Sequence, residues 1–228
     1  MPILIVLGVL LLAGLVFGPQ WWVRHALRKH GAERADFPGT GAELARHLLD
    51  RAGLTDVKVE PTDEGDHYST VDRAVRLTQP VFEGRSLTAV AVAAHEVGHA
   101  MQHGEGSALL ATRQRLAKVA FGVERVAAIV MLGAPVVGAI TRAPSIVLLE
   151  IGVGVALLAV RVGVHLVTLP VELDASFRRA LPILRDEGYI PPDAIPGARE
   201  VLRAAALTYV AAALVSLLDI GRWFRVLR

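Results

Sequence analysis

The pentapeptide His95-Glu96-Val97-Gly98-His99 carries the clearest chemistry in this 228-residue chain. On an α-helix, positions i and i+4 lie one turn apart on the same face. His95 and His99 can therefore turn two imidazoles toward one tetrahedral cation, with Glu96 beside them and able to reach a water on that cation. Zinc in such a site lowers the pKa of its bound water to about 7 and polarises a carbonyl, and a nearby carboxylate then serves as general base. The expectation is Zn2+ on His95 and His99, with Glu96 as the catalytic base. The bland alternative is a solvated helix face. Against it, Leu87 to Ala94 is an almost uninterrupted apolar segment, so the helix is expected to be buried, and buried ionisable groups need partners.

Two histidines require a third ligand. His103 continues the i+4 series, but it lies eight residues from His95, about 12 Å along a helix at 1.5 Å per residue. The longer motif H-E-x-x-H-x-x-G-x-x-H fails too, because Gln102 and Glu105 stand where its Gly and last His belong. Downstream, Glu124, Glu150, His165, Glu172 and Asp174 are the candidates. Thr168-Leu169-Pro170 reads as an N-cap followed by a helix-starting proline. Glu172 and Asp174 would then sit in the first turns of a new helix, with Glu172 as ligand and Asp174 orienting a histidine. Acidic residues also favour a helix N-terminus for its dipole alone, so the residues themselves leave the choice open.

Several elements must position these groups. Ile3 to Gly18 is an uncharged apolar run, extended toward an interface by Pro19 to Val23 and followed by Arg24, His25, Arg28 and Lys29. Trp21 and Trp22 sit where belt aromatics would, and the charges follow the run, the reverse of a cleavable signal peptide. We read an uncleaved anchor with its N-terminus outside and the next segment inside the cell. Thr40-Gly41-Ala42-Glu43 is a capping box opening a helix through Arg51, with Gly53 as its stop. Val57 to Glu60 and Val71 to Leu77 alternate like strands, which predicts a small sheet. The motif helix is expected from Ser86 to Gly104, and another from about Ser107. Val126 to Ile140 and Ile146 to Val160, joined by Thr141-Arg142-Ala143-Pro144-Ser145, read as a transmembrane hairpin, which returns residues 165 to 180 to the side of His95. Glu150 lies in the second of these runs, near its outer turn, and Arg161 and His165 flank its inner end. The last apolar run, Ala204 to Leu218, is short. If it spans, Arg222, Arg225 and Arg228 end up outside, against the positive-inside tendency.

Composition agrees. Hydrophobic residues make up 53% of the chain, more than is usual for a soluble domain, and much of the excess sits in these runs. A net charge of +2 and the lack of any recognisable motif argue against nucleic acid as a partner. With no cysteine there is neither a disulfide scaffold nor a thiolate metal site.

The sequence resembles the YugP-type membrane zinc metallopeptidases of bacteria. The likeness rests on Gly65-Asp66-His67-Tyr68, Val75-Arg76-Leu77-Thr78, Gly84-Arg85-Ser86, the block from Ala91 through His95-Glu96-Val97-Gly98-His99 to Gln102, Leu169 to Ser176, and Ala204 to Val210. The resemblance implies zinc histidines at His95 and His99 and a catalytic Glu96. A more distant similarity to HtpX-like gluzincins implies Glu172 as third ligand. Those enzymes usually carry an aspartate four residues after that glutamate; here Ser176 stands there and Asp174 comes two after.

The expected molecule is a mainly α integral membrane protein, with three to four transmembrane helices and a small α+β zincin-like domain. Its expected segments are an anchor over 1–23, a zinc-motif segment over 24–122, a hairpin over 123–167, a third-ligand segment over 168–203 and a C-terminal helix with a basic tail over 204–228. The expected activity is zinc-dependent endoproteolysis of a protein or peptide substrate, at the cytoplasmic face of a bacterial plasma membrane that the chain crosses several times. His67 and Tyr68, before the motif helix, are candidates for substrate binding or oxyanion stabilisation, and His165 is a reserve ligand or transition-state stabiliser. The rival readings are a catalytically silent metal-binding membrane scaffold and a metal transporter.

Overall fold

The computed structural model describes residues 2–216, so Arg222, Arg225 and Arg228 lie outside the described residues. In chain order the elements are α1 (Pro2–Lys29), α2 (Gly41–Arg51), β1 (Lys58–Pro61), β2 (His67–Ser69), β3 (Ala74–Leu77), α3 (Gln79–Phe82), α4 (Leu87–Gly104), α5 (Ala108–Thr141), α6 (Pro144–Leu173), a π-helical segment (Asp174–Ala180), α7 (Leu181–Asp186), a short 3-10 turn (Pro192–Ala194) and α8 (Ile195–Ser216). The chain forms two compact units. Among the described residues, one gathers Trp21–Ala111 and Leu169–Thr208; the other gathers residues 2–20, Thr112–Thr168 and residues 209–216.

The first unit is built around α4. Ser86 caps it, its hydroxyl accepting from the Ala89 N–H at 3.1 Å. Thr88 ties its first turn to the end of α1, its hydroxyl donating to the Leu27 carbonyl at 2.7 Å. A helix apolar on every side belongs inside, and α4 is buried from Leu87 through Ala100 apart from Thr88. Around it pack Leu44, Leu48 and Leu49 of α2, Val75 and Leu77 of β3, Leu181 and Leu184 of α7, and Val201 and Leu202 of α8. The expected capping box of α2 is present: Thr40 Oγ1 accepts from Glu43 N, and Glu43 answers at the Thr40 N–H. Gly53 follows at φ +70°, the left-handed stop that glycine supplies.

The sheet has the order β1-β3-β2, with β1 parallel and β2 antiparallel to β3. The alternation expected over Val71 to Leu77 is interrupted, because residues 70–73 form the turn between β2 and β3 and Arg73 sits at φ +51°. Asp66 pins this hairpin to α3, accepting from the Thr78 N–H at 2.7 Å and from its hydroxyl at 3.0 Å. Burial pushes the Asp66 carboxyl up from its ordinary range, outweighing the opposite pull of those two bonds.

The second unit carries most of the apolar, span-length helix. Val6–Lys29 and Pro144–Asp186 are long and apolar enough to cross a bilayer, and Ala108–Gly133 with Pro135–Thr141 adds a third crossing if that pair, bent by 41°, is one span. The bend falls at a helix-internal proline, Pro135. Large apolar side chains point outward on these helices: Leu10 63%, Leu11 77%, Ile129 60%, Ile140 77% and Leu149 69% exposed. Water would penalise such a surface and lipid would not. Between α5 and α6, Ala127 and Ala128 pack with Met131 and Leu157. Gly154 is the contact point, since a Cβ there would sit on the Met131 side chain.

Two further expectations, both about helix ends, differ from the structure. The helix expected from about Ser107 and the apolar run Val126 to Ile140 are one helix, α5. No helix begins at Thr168 either. The Thr168 hydroxyl bonds back to the His165 carbonyl, and α6 runs on through Pro170 to Leu173. Proline lacks one N–H, and a long apolar helix tolerates that loss. The backbone then widens at Asp174 into the π segment, in which the Leu181 N–H reaches back five residues to the Ser176 carbonyl.

Candidate metal centre

The i, i+4 spacing on α4 does what the motif demands. The rings of His95 and His99 lie 4.7 Å apart at 77° to one another. Glu172, at the end of α6, brings its Oε2 to 3.4 Å from His95 Nε2 and 3.1 Å from His99 Nε2. The three ligand atoms all lie within 4.8 Å of one another, and each residue is 2% exposed. The approach is possible because α4 presents Gly98 to the π segment: a Cβ there would stand 2.8 Å from the Ala175 carbonyl oxygen.

The hydrogen bonds behind the rings determine what this cluster can hold. Gln102 donates from Nε2 to the Val171 carbonyl at 3.0 Å and to Asp174 Oδ2 at 2.8 Å. Its Oε1 faces His99 Nδ1 at 2.9 Å, and an amide oxygen only accepts, so His99 carries its proton on Nδ1. Ser176 donates its hydroxyl to the Leu202 carbonyl at 3.0 Å, which leaves Oγ to accept from His95 Nδ1 at 2.9 Å. Both imidazoles thereby direct Nδ1–H at a fixed acceptor, and both Nε2 atoms face the same Glu172 oxygen. Three acceptors thus converge in a buried place. An added proton would serve one nitrogen; a divalent cation accepts all three lone pairs at once. Two imidazole nitrogens and one carboxylate oxygen form a donor set that suits zinc and leaves a coordination position open.

Glu96 follows His95 on α4 and is 6% exposed. Asp174 stands one step further from the cluster than expected: it holds Gln102, which in turn holds His99. Ser176 and Gln102, the residues that do touch the histidines, were not legible as such. The signal for Ser176 was its place four residues after Glu172. Tyr68 and His67 lie on β2, outside the convergent cluster. The Tyr68 hydroxyl is 2.8 Å from His103 Nδ1. Burial raises the phenol's pKa, so it stays protonated and able to donate. His67 Nδ1 bonds the Gly65 carbonyl at 2.8 Å. His165 belongs to the other unit, where its ring stacks on Tyr209 at 5.9 Å. Glu124 is buried on α5, and Glu150 on α6 lies against Gly133; neither joins the cluster.

Comparison with known proteins agrees with this chemistry. A family model described as "Putative neutral zinc metallopeptidase" matches residues 3–228. The "Putative membrane protease YugP" of Bacillus subtilis (strain 168) is 42% identical over 215 residues, covering 93% of this chain and 92% of that protein. No solved structure matches. With nearly its whole length matched, the chain belongs to the family described as "Putative neutral zinc metallopeptidase".

Proposed function

We propose that the protein is a membrane-embedded, zinc-dependent endopeptidase of the gluzincin type, with His95, His99 and Glu172 as the zinc ligands and Glu96 as the general base. One observation carries the reading: both histidines have their Nδ1–H committed to other partners, so their Nε2 atoms and a Glu172 oxygen face one point where a shared cation would satisfy all three. When bound there, zinc supplies the Lewis acidity that polarises the scissile carbonyl and acidifies water. The chain's own residues do the rest. Glu96 takes the proton from the attacking water and delivers it to the departing amine. Gln102 and Ser176 hold the imidazoles in the tautomer and orientation that keep Nε2 available. The apolar packing around α4 keeps bulk water from competing for these groups.

The surrounding architecture is read as a zincin-like domain in which the β-sheet precedes the motif helix. The bent helix α5 is read as a third span beside α1 and α6. The positive-inside tendency of Arg24, Arg28 and Lys29 at the end of α1 supports reading the following segment, and with it His95, as cytoplasmic in a bacterial cell. A site there suits unfolded or membrane-proximal protein substrates. The test is cleavage of an unstructured protein by purified detergent-solubilised enzyme. Cleavage is expected to stop on chelation and to return with stoichiometric zinc. Cleavage indifferent to chelator, or none under any metal loading, contradicts the assignment.

A further inference from the structure

Arg179 closes the segment that follows Glu172, and it does so with three bonds. Its Nε donates to Asp174 Oδ2 at 2.9 Å, while Nη1 and Nη2 donate to the two Glu105 oxygens at 2.6 and 2.8 Å. Glu105 is the C-cap of α4, so the guanidinium joins the end of the motif helix to the π segment. A bidentate arginine–carboxylate pair of this kind fixes direction as well as distance. Arg179 holds the Glu105 carboxyl below the ordinary glutamate range.

The spacing of the inner pair is informative. Residues five apart on an α-helix are rotated by about 500°, so they face about 140° away from each other. Asp174 and Arg179 are five apart and bonded, a pairing that the wider π turn favours by bringing the two residues nearer to one face. In an α-helix the same two side chains would start about 140° apart, so the bond favours the π form. That turn also directs Ser176 toward His95. From Asp174 a second path runs inward: Asp174 Oδ2 accepts from Gln102, and Gln102 Oε1 accepts from His99 Nδ1. Both histidine supports thus depend on one segment, and Arg179 spans it.

We propose that Arg179 is a positioning residue for the metal centre. By clamping Asp174 to Glu105 it keeps the segment π-helical, and this holds Gln102 on His99, Ser176 on His95, and Glu172 against both. Arg179 itself touches no substrate. The proposal rests on the reading of His95, His99 and Glu172 as zinc ligands.

The test uses the full-length protein in detergent, with zinc affinity measured by chelator competition and thermal midpoints measured for apo and zinc-loaded forms. Arg179→Met keeps the aliphatic stem and removes every donor. Its zinc Kd is expected to rise about 10- to 100-fold, the usual effect of losing an outer support of a ligand. Arg179→Lys, which keeps the charge but only a single donor nitrogen, is expected to recover part of the loss. The d–d spectrum of the cobalt-substituted Arg179→Met protein should also broaden or shift. Unchanged zinc affinity, with apo and loaded forms melting earlier by the same amount, would make Arg179 a structural clamp alone and overturn the proposal. If Arg179→Met does not fold, Glu105→Gln carries the test: weaker zinc binding is expected, and wild-type affinity overturns the proposal. A His95→Ala control separates the two levels. If His95→Ala retains the zinc, the ligand reading itself is wrong; if it loses zinc while Arg179→Met binds normally, only the role of Arg179 falls.

Discussion

Glu96→Gln protein is expected to purify with zinc bound and to cleave substrate about 10²- to 10⁴-fold more slowly than wild type, the range a positioned general base contributes. Glutamine preserves the shape of the side chain and its place next to His95, but its amide cannot take a proton from water. Because Glu96 is not among the three converging ligand groups, metal content should not change. Paired measurement of zinc stoichiometry and cleavage rate distinguishes this from a silent scaffold, for which the same substitution costs nothing. A variant that cleaves at the wild-type rate removes Glu96 from the mechanism.

Glu172→Ala is expected to have the largest effect on the metal itself. Zinc bound by three or four protein ligands gains roughly 10–16 kcal/mol, so losing one ligand should cost about 3–5 kcal/mol, or about 10² to 10⁴ in Kd. Glu172 is only 2% exposed, and removing its carboxylate also leaves a small cavity beside two imidazoles. The loss of affinity should therefore come with a lower thermal midpoint that added zinc only partly restores. Dialysis of the variant against buffered zinc, followed by metal analysis, checks this. Full retention of tightly bound zinc would reassign the third ligand.

How much of this was legible in the sequence follows from which interactions are local. The placement of His95 and His99 follows from helical periodicity alone, and so does the exclusion of His103, which bonds Tyr68 instead. The capping box at Thr40 and Glu43 and the stop at Gly53 are likewise written within a few residues. Glu172 could be narrowed to a short list from topology, and the resemblance selected it from that list. What stayed hidden depends on the π segment. No periodicity announces it, because a single residue's worth of extra backbone moves Ser176 and Asp174 to new faces without altering the hydrophobic pattern. The aspartate expected to orient a histidine therefore turned out to hold a glutamine, and a serine that looked like a departure supports His95. Thr168 and Pro170 carried a helix-start signal, yet α6 runs on through both, with the Thr168 hydroxyl turned back to the His165 carbonyl. Strand β2, three residues long, is too short to alternate recognisably.

X-ray absorption at the zinc edge of the purified, full-length protein reads the ligands of the metal itself. One zinc per chain is expected, with two imidazole nitrogens at about 2.0–2.1 Å and carboxylate or water oxygens at about 2.0–2.2 Å, and with the scattering of one imidazole lost in the His99→Ala protein. A protein that takes up no stoichiometric zinc, or whose zinc spectrum is the same with and without His99, would contradict it.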